Sequence, residues 1–383
     1  MSAKFRMCLC AFLVTALFTS VASAQDVKPK PVKKKAPVIQ LALLLDTSNS
    51  MDGLIGQARA QLWKVVNELA SAKRGGLNPE IYVAVYEYGN DTLSAENGYV
   101  RRVLPLTDDL DKVSEQLFAL RTNGGSEYCG QVIKKAISEL KWEPGNDAYK
   151  TIFIAGNEAF SQGPTNYRTS CASAIKSGIT VNTIFCGKIQ VGAQLGWKDA
   201  ATLADGHYMA IDQSRVQTQV KAPQDKEISR LNGLLNKTYV PFGQQGGLYK
   251  ERQKKQDANA KGVGSAPTAQ RARWKSGKNY RCDSWDLVDA VVNKKIKLSE
   301  LKKDQVPEAF KKLTLEQRKA KIEELIQERR KIQKQILKLD TQRRTYVTAE
   351  LKKLKKNNKE SLDDAMLNAA RKQAVAKKFK FGE

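Results

Sequence analysis

Val38 to Leu45 is a near-continuous apolar run that ends at Asp46. A run this short, without alternation, predicts a strand buried on both faces. Leu54, Ile55, Ala58, Leu62, Val65, Val66 and Leu69 then recur in steps of three and four, the spacing of a helix with one apolar stripe. The alternation continues, with strands at 80–88, 99–106, 149–155, 179–185 and 207–211. Helices are predicted at 109–120, 128–140, 167–177 and 197–204. The strand at 99–106 follows its predecessor closely enough to pair antiparallel with it. Strands alternating with helices predict an α/β fold with a doubly wound, mostly parallel, Rossmann-like sheet over residues 37–212. A ligand site in such a sheet lies at the carboxyl ends of the strands, where strand order reverses.

The pattern changes after that. Residues 213–300 read as a helical extension, with a helix at 215–235 and an apolar Tyr239–Phe242. Residues 243–281 are rich in Gly, Gln, Lys and Ala without periodicity and are expected to form a mobile, disordered loop. Ser284 can cap a helix carrying Trp285, Val288, Val291 and Val292. In residues 301–357, Ile322, Leu325, Arg329, Ile332, Ile336, Leu339, Arg343 and Tyr346 keep heptad spacing with two arginines in the seam. That pattern fits a coiled coil or a pairing with a neighbouring helix of the same chain. Residues 358–383 form a basic amphipathic tail expected to fray.

Charge divides the chain at the same place. The whole carries +25, with 65 Lys+Arg against 40 Asp+Glu. Residues 37–214 hold 16 basic and 19 acidic side chains, whereas residues 215–383 hold 42 and 20. A basic helical half suits an anionic partner, such as lipopolysaccharide, an anionic polymer or an acidic protein surface. Few aromatics interleave the charges of residues 300–383, which argues against base-stacking on nucleic acid.

The amino terminus has the marks of a signal peptide over residues 1–24. Lys4 and Arg6 precede an apolar run from Met7 to Phe18, and Ala22-Ser23-Ala24 supplies small residues before a cleavage point at Gln25. Residues 25–36 read as a Pro/Lys-rich linker. The apolar run is short for a membrane span, and no later segment is apolar enough to cross one. The expectation is a periplasmic or secreted protein. Export permits disulfides. Cys129, Cys171, Cys186 and Cys282 allow three pairings, of which Cys129 with Cys171 is preferred, and buried free thiols are the alternative.

Catalytic motifs are sparse. His207 is the single histidine, which leaves no material for a histidine triad or a multi-histidine zinc site. No Cys-x-x-Cys and no phosphate-binding glycine loop occurs. A non-enzymatic role is expected.

Asp46-Thr47-Ser48-Asn49-Ser50 stands directly after the first buried strand and before a helix. A turn leaving a strand presents alternate side chains to one point, and hydroxyl and carboxylate oxygens at that point suit a hard cation. The pattern Asp-x-Ser-x-Ser resembles the metal-ion-dependent adhesion site (MIDAS) of von Willebrand factor A domains. In that family a second loop offers a threonine after two glycines; here Gly124-Gly125-Ser126 opens the helix at 128–140, and Ser126 takes the threonine's place. A third loop carries an aspartate after the next strand, but here it reads Ala155-Gly156-Asn157-Glu158, so Asn157 or Gly156 stands there. That departure implies weaker metal affinity, and Glu158 is a neighbouring carboxylate without an assigned role. The resemblance implies a site of Asp46, Ser48, Ser50, Ser126 and Asn157 for Mg²⁺, with Mn²⁺ and Ca²⁺ as alternatives. It further implies binding rather than turnover, to a protein partner whose Asp or Glu completes the cation's shell. The competing expectation is a basic helical protein on an anionic envelope surface, with the metal site vestigial.

Overall fold

A computed structural model describes residues 35–211, 220–302, 305–354 and 362–381. The expected signal peptide and most of the expected linker lie outside the described residues. The first half contains β1 (Val38–Asp46), α1 (Asp52–Ser71), β2 (Glu80–Tyr88), β3 (Val100–Thr107), α2 (Leu110–Ala119), α3 (Cys129–Glu139), β4 (Tyr149–Gly156), α4 (Tyr167–Lys176), β5 (Thr180–Cys186), α5 (Ile189–Gln194), α6 (Trp197–Leu203) and β6 (Tyr208–Ile211).

All nine residues of β1 are buried. β1 is a central strand that pairs in parallel with β2 on one side and β4 on the other. The sheet runs β3-β2-β1-β4-β5-β6, and β3 alone is antiparallel to its neighbour. Successive β1 side chains alternate between faces, as a pleated strand requires. Leu41, Leu43 and Leu45 join α1 and α2 in one apolar cluster, while Ala42 and Leu44 join α3, α4 and α6 in another. Helices therefore cover both faces, and the chain crosses to opposite sides after β1 and after β4. The loops leaving those two strands meet at the carboxyl edge, which is where the sequence places Asp46 and Asn157.

The second half comprises α7 (Asp225–Lys237), α8 (Gly246–Val263), α9 (Ser265–Ser276), α10 (Leu287–Val292), α11 (Glu308–Lys311), α12 (Leu315–Leu354) and α13 (Leu362–Ala376). The expectation of a mobile loop at 243–281 is wrong, because α8 and α9 occupy most of that span. Their sequence shows no apolar period because their inward faces are polar. Gln253, Gln256, Arg271 and Lys275 are fully buried. Arg271 donates to Asp111 at 2.6 Å and to Asp257, and Lys275 reaches Asp257 at 2.8 Å. Arg271 also lies over the Trp63 ring of α1, 4.8 Å from its centroid. This side-chain network fastens the helical half to α1 and α2.

The heptad seam of α12 is used inside the chain. Ile332 and Ile336 pack with α7 and α9, and Ile322, Leu325 and Ile326 with α10 and α11. The two seam arginines are paired rather than apolar contacts. Arg329 holds Asp286 and Asp289, each at 2.6 Å, and Arg343 holds Asp225 at 2.6 Å.

The expected fraying of the tail is also wrong for its described part. In α13, Met366, Leu367, Ala369, Ala370 and Ala374 are buried with Phe379 in the same cluster as α1. Gln373 enters below the sheet and accepts from Tyr149 Oη at 2.8 Å and Asn182 Nδ2 at 3.1 Å. Lys73 and Lys380 add an antiparallel bridge. The polar tip of Gln373 fits there because those strand residues present a hydroxyl and an amide to the face that α13 covers. Among the described residues no helix is long and apolar enough to cross a membrane.

Candidate metal centre

Three loops converge at the carboxyl edge of the sheet. The first is the turn after β1. Asp46 is fully buried and accepts the Ser48 backbone N–H on Oδ1 at 2.7 Å. That contact folds the turn back so that Ser48 and Ser50 face the same point, with their hydroxyl oxygens 3.3 Å apart. Ser48 is buried and Ser50 exposed, so the arrangement opens to solvent on the Ser50 side.

The second loop, residues 121–128, is tied to the first by backbone. Asn49 N–H donates to Gly124 O at 3.0 Å and Asn123 N–H to Thr47 O at 2.9 Å. Gly125, at φ +151°, is required by this approach, since a Cβ there would stand 2.4 Å from Gly89 O and 2.9 Å from Ser48 Cβ. Ser126 is half-buried on this loop. The third loop brings Asn157, whose Nδ2 donates to Ser50 Oγ at 3.0 Å. The structure thus gathers Asp46, Ser48, Ser50 and Asn157 and sets Ser126 on the adjoining loop.

Glu127 is the residue that the sequence pattern passes over. It is 4% exposed. Gly89, at φ +75°, leaves the space for it: a Cβ there would lie 2.7 Å from Glu127 Cγ and 2.8 Å from Asp46 Oδ1. Burial raises both carboxyls above their ordinary range. Ionised Asp46 pushes Glu127 further up, while hydrogen bonds from Glu127 and from Ser48 hold Asp46 down. Two carboxyls with one proton between them is what burial of like charges at contact produces. Exposed Glu158 raises both a little more. A signal for Glu127 existed, since it directly follows Ser126. It lies in a polar loop without periodicity, however, so nothing in the pattern marks it as buried.

Two oxygens stay unsatisfied. Asp46 Oδ2 and Asn157 Oδ1 are buried without a hydrogen-bond partner. Oδ2 faces the end of β4, 3.1 Å from where a Gly156 Cβ would stand. A buried carboxylate oxygen without a donor is costly. Among the described residues no cluster of three His, Cys, Asp or Glu side chains is placed to hold a metal. The donor set is instead hydroxyl, carboxylate and amide oxygen, which fits a hard divalent cation and not a soft one.

The preferred Cys129–Cys171 disulfide is absent. Cys129, Cys171, Cys186 and Cys282 are all buried free thiols. Cys129 turns toward the sheet, where its Sγ donates to Tyr88 Oη at 3.7 Å, whereas Cys171 sits among the apolar side chains of α4.

A search of curated proteins returns no match. Among solved structures, the chain is similar to BatB from Bacteroides thetaiotaomicron, at 16% identity and TM-score 0.35, covering 46% of this chain and 91% of that one. It is similar to the SpRpn10 VWA domain at 17% identity and TM-score 0.33, covering 48% and 98%. It is also similar to proximal thread matrix protein 1 from the mussel byssus, solved with a zinc-occupied MIDAS motif, at 12% identity and TM-score 0.32, covering 46% and 41%. The family model for the von Willebrand factor type A domain matches residues 40–220. That span takes in all three loops and every strand but the first two residues of β1, so this chain carries a von Willebrand factor type A (VWA) domain, followed by a helical region.

Proposed function

We propose that this chain is an exported, non-enzymatic interaction protein whose VWA domain grips a protein partner through a divalent cation. Domains of this family are generally interaction modules, and many bind a divalent metal at the position of Asp46, Ser48 and Ser50. The observation that carries the reading is Asp46 Oδ2, a fully buried carboxylate oxygen with no partner, on the residue that opens the turn whose Ser48 and Ser50 hydroxyls lie 3.3 Å apart. Ser48 and Ser50 would hold the cation. Asp46 would supply charge behind them, and Ser126 and Asn157 would complete the oxygen set directly or through water. Mg²⁺ suits such a site because it keeps several waters and needs few protein ligands. The solvent-facing side at Ser50 leaves room for an Asp or Glu of the partner. Export rests on the leader-like residues 1–24.

Calorimetric titration of the full chain with Mg²⁺ and Mn²⁺ tests the metal. One site is expected in the wild type and none in Asp46→Ala or Ser48→Ala. Equal heats in all three proteins would sink the reading. Partner capture from envelope extract should then require Mg²⁺ and fail with chelator.

A second reading draws on α12. Arg330, Lys331, Lys334, Lys338 and Arg344 are exposed along it; Asp340 is buried, and the exposed acids Glu323, Glu324 and Glu328 precede the run. That stripe suits an anionic envelope polymer or surface. Binding through it would collapse with salt and ignore chelator.

A further inference from the structure

We infer that Glu127 is the second carboxylate of the cation site, standing in for the acid that position 157 lacks. The inference rests on the metal reading above and adds a ligand that the family pattern does not supply.

Asp46 and Glu127 lie on different loops, yet both come within 2.8 Å of the point where a Cβ on Gly89 would stand. Glu127 is 4% exposed, and its backbone N–H is held by Gln162 Oε1. Its carboxyl therefore points inward by construction and not by chance rotation of a surface side chain. Ser48 Cβ stands 2.9 Å from where a Cβ on Gly125 would lie, which sets the Ser48 turn against the loop that carries Glu127. An independent sign that a ligand belongs here is Asp46 Oδ2, fully buried, unpartnered and turned toward Gly156 and the third loop. Two ionised carboxylates flanking two hydroxyls balance the charge of one divalent ion. The charge lost at Asn157 is thus restored from the second loop rather than the third.

Mn²⁺ binding to the full chain, followed by electron paramagnetic resonance and calorimetry, tests this. Glu127→Gln keeps the shape and removes the charge, and it is expected to lower Mn²⁺ affinity at least tenfold. Asn157→Asp added to Glu127→Gln returns the carboxylate to the third loop and should recover most of that loss. Circular dichroism melts of each variant confirm folding, and the recovery in the double variant separates lost charge from a damaged loop. If the wild type takes up Mn²⁺ and Glu127→Gln matches it within twofold, Glu127 is not a ligand while the metal site stands. If the wild type takes up none, the metal reading falls, and this inference with it.

Discussion

Glu127 and Asp257 are both carboxyls taken out of water, in two parts of one chain, and they have opposite surroundings. Asp257 sits between α8 and α9. Burial alone would raise its carboxyl, but the Lys275 ammonium and the Arg271 guanidinium hold it well below the usual range. Asp286 and Asp289 both pair with Arg329, each at 2.6 Å. At the sheet edge, Asp46 and Glu127 face one another, and among the described residues neither forms an ion pair with a lysine or arginine. Removing a carboxylate from water costs several kcal/mol unless an opposite charge replaces the solvent. The helical half meets that cost with its own arginines and lysines. The VWA domain leaves it open at one place, and that place faces solvent at Ser50. The difference teaches that the second half's excess of basic residues is partly an internal need. It also separates a charge network closed by the protein's own cations from a carboxyl pair without one.

Removing one cation makes the paired network resemble the open site. Arg271→Ala strands Asp111 and Asp257 without their guanidinium, and removing one member of a buried pair typically costs about 3–5 kcal/mol. Urea unfolding should show that loss, and a change below about 1 kcal/mol would mean that the network is not dry. Acid should erase part of the same contribution. Asp257 has its carboxyl lowered on folding, so its share of stability is complete above the unfolded value of about 3.9. It shrinks as pH falls below that, because the unfolded chain then binds the proton first. The difference in urea midpoint between wild type and Asp257→Asn should therefore be wide at neutral pH and narrow progressively below about pH 4.

The converse experiment completes the open site. Mg²⁺ at about 100 times its dissociation constant should stabilise the wild type by about 2.7 kcal/mol. Asp46→Ala should gain nothing, and thermal melts with Mg²⁺ against chelator read the difference. Next in size is Gln373→Ala. It leaves Tyr149 and Asn182 without their buried partner and should cost about 1–3 kcal/mol. The smallest effect belongs to the exposed stripe. Lys331→Gln, Lys334→Gln and Lys338→Gln should each change stability by less than about 0.5 kcal/mol. Together they should weaken salt-sensitive binding to anionic vesicles or polymers if α12 makes that contact.

What the sequence made legible follows the same division. The VWA domain reads clearly because its burial is apolar. β1 is an unbroken Val-to-Leu run, and α1 repeats Leu, Ile and Val at helical steps. Asp46, Ser48 and Ser50 stand where that run stops, so the turn announces itself. α8 and α9 do not read, because their buried positions are Gln253, Gln256, Arg271 and Lys275, residues that a hydrophobicity pattern counts as solvent-facing. Glu127 is lost for the same reason. A buried charge is marked by its partner, and the partner is distant in sequence. Arg329 and Arg343 were visible as breaks in a heptad. Their meaning came from Asp286, Asp289 and Asp225, which no local pattern connects to them. The tail's charged, amphipathic sequence predicts fraying. Its apolar face proved to have a waiting surface on α1, beyond the reach of any window of sequence.

That docking of α13 has a consequence for how the molecule comes into being. Arg371 pairs with Glu68 across 303 positions, and Gln373 reaches Tyr149 across 224. Contacts of such separation carry a large loop-closure cost before they reward the chain, and they slow folding. During synthesis, the face of the sheet that receives Met366 and Leu367 must wait uncovered while the intervening helices emerge. An intermediate with exposed apolar surface of that kind is prone to aggregation and is a natural client for a chaperone. Refolding from urea should therefore be multiphasic, with a slow step that reports the arrival of α13. Stopping the chain before Leu362 should remove that step and leave a first domain that is sticky rather than unfolded.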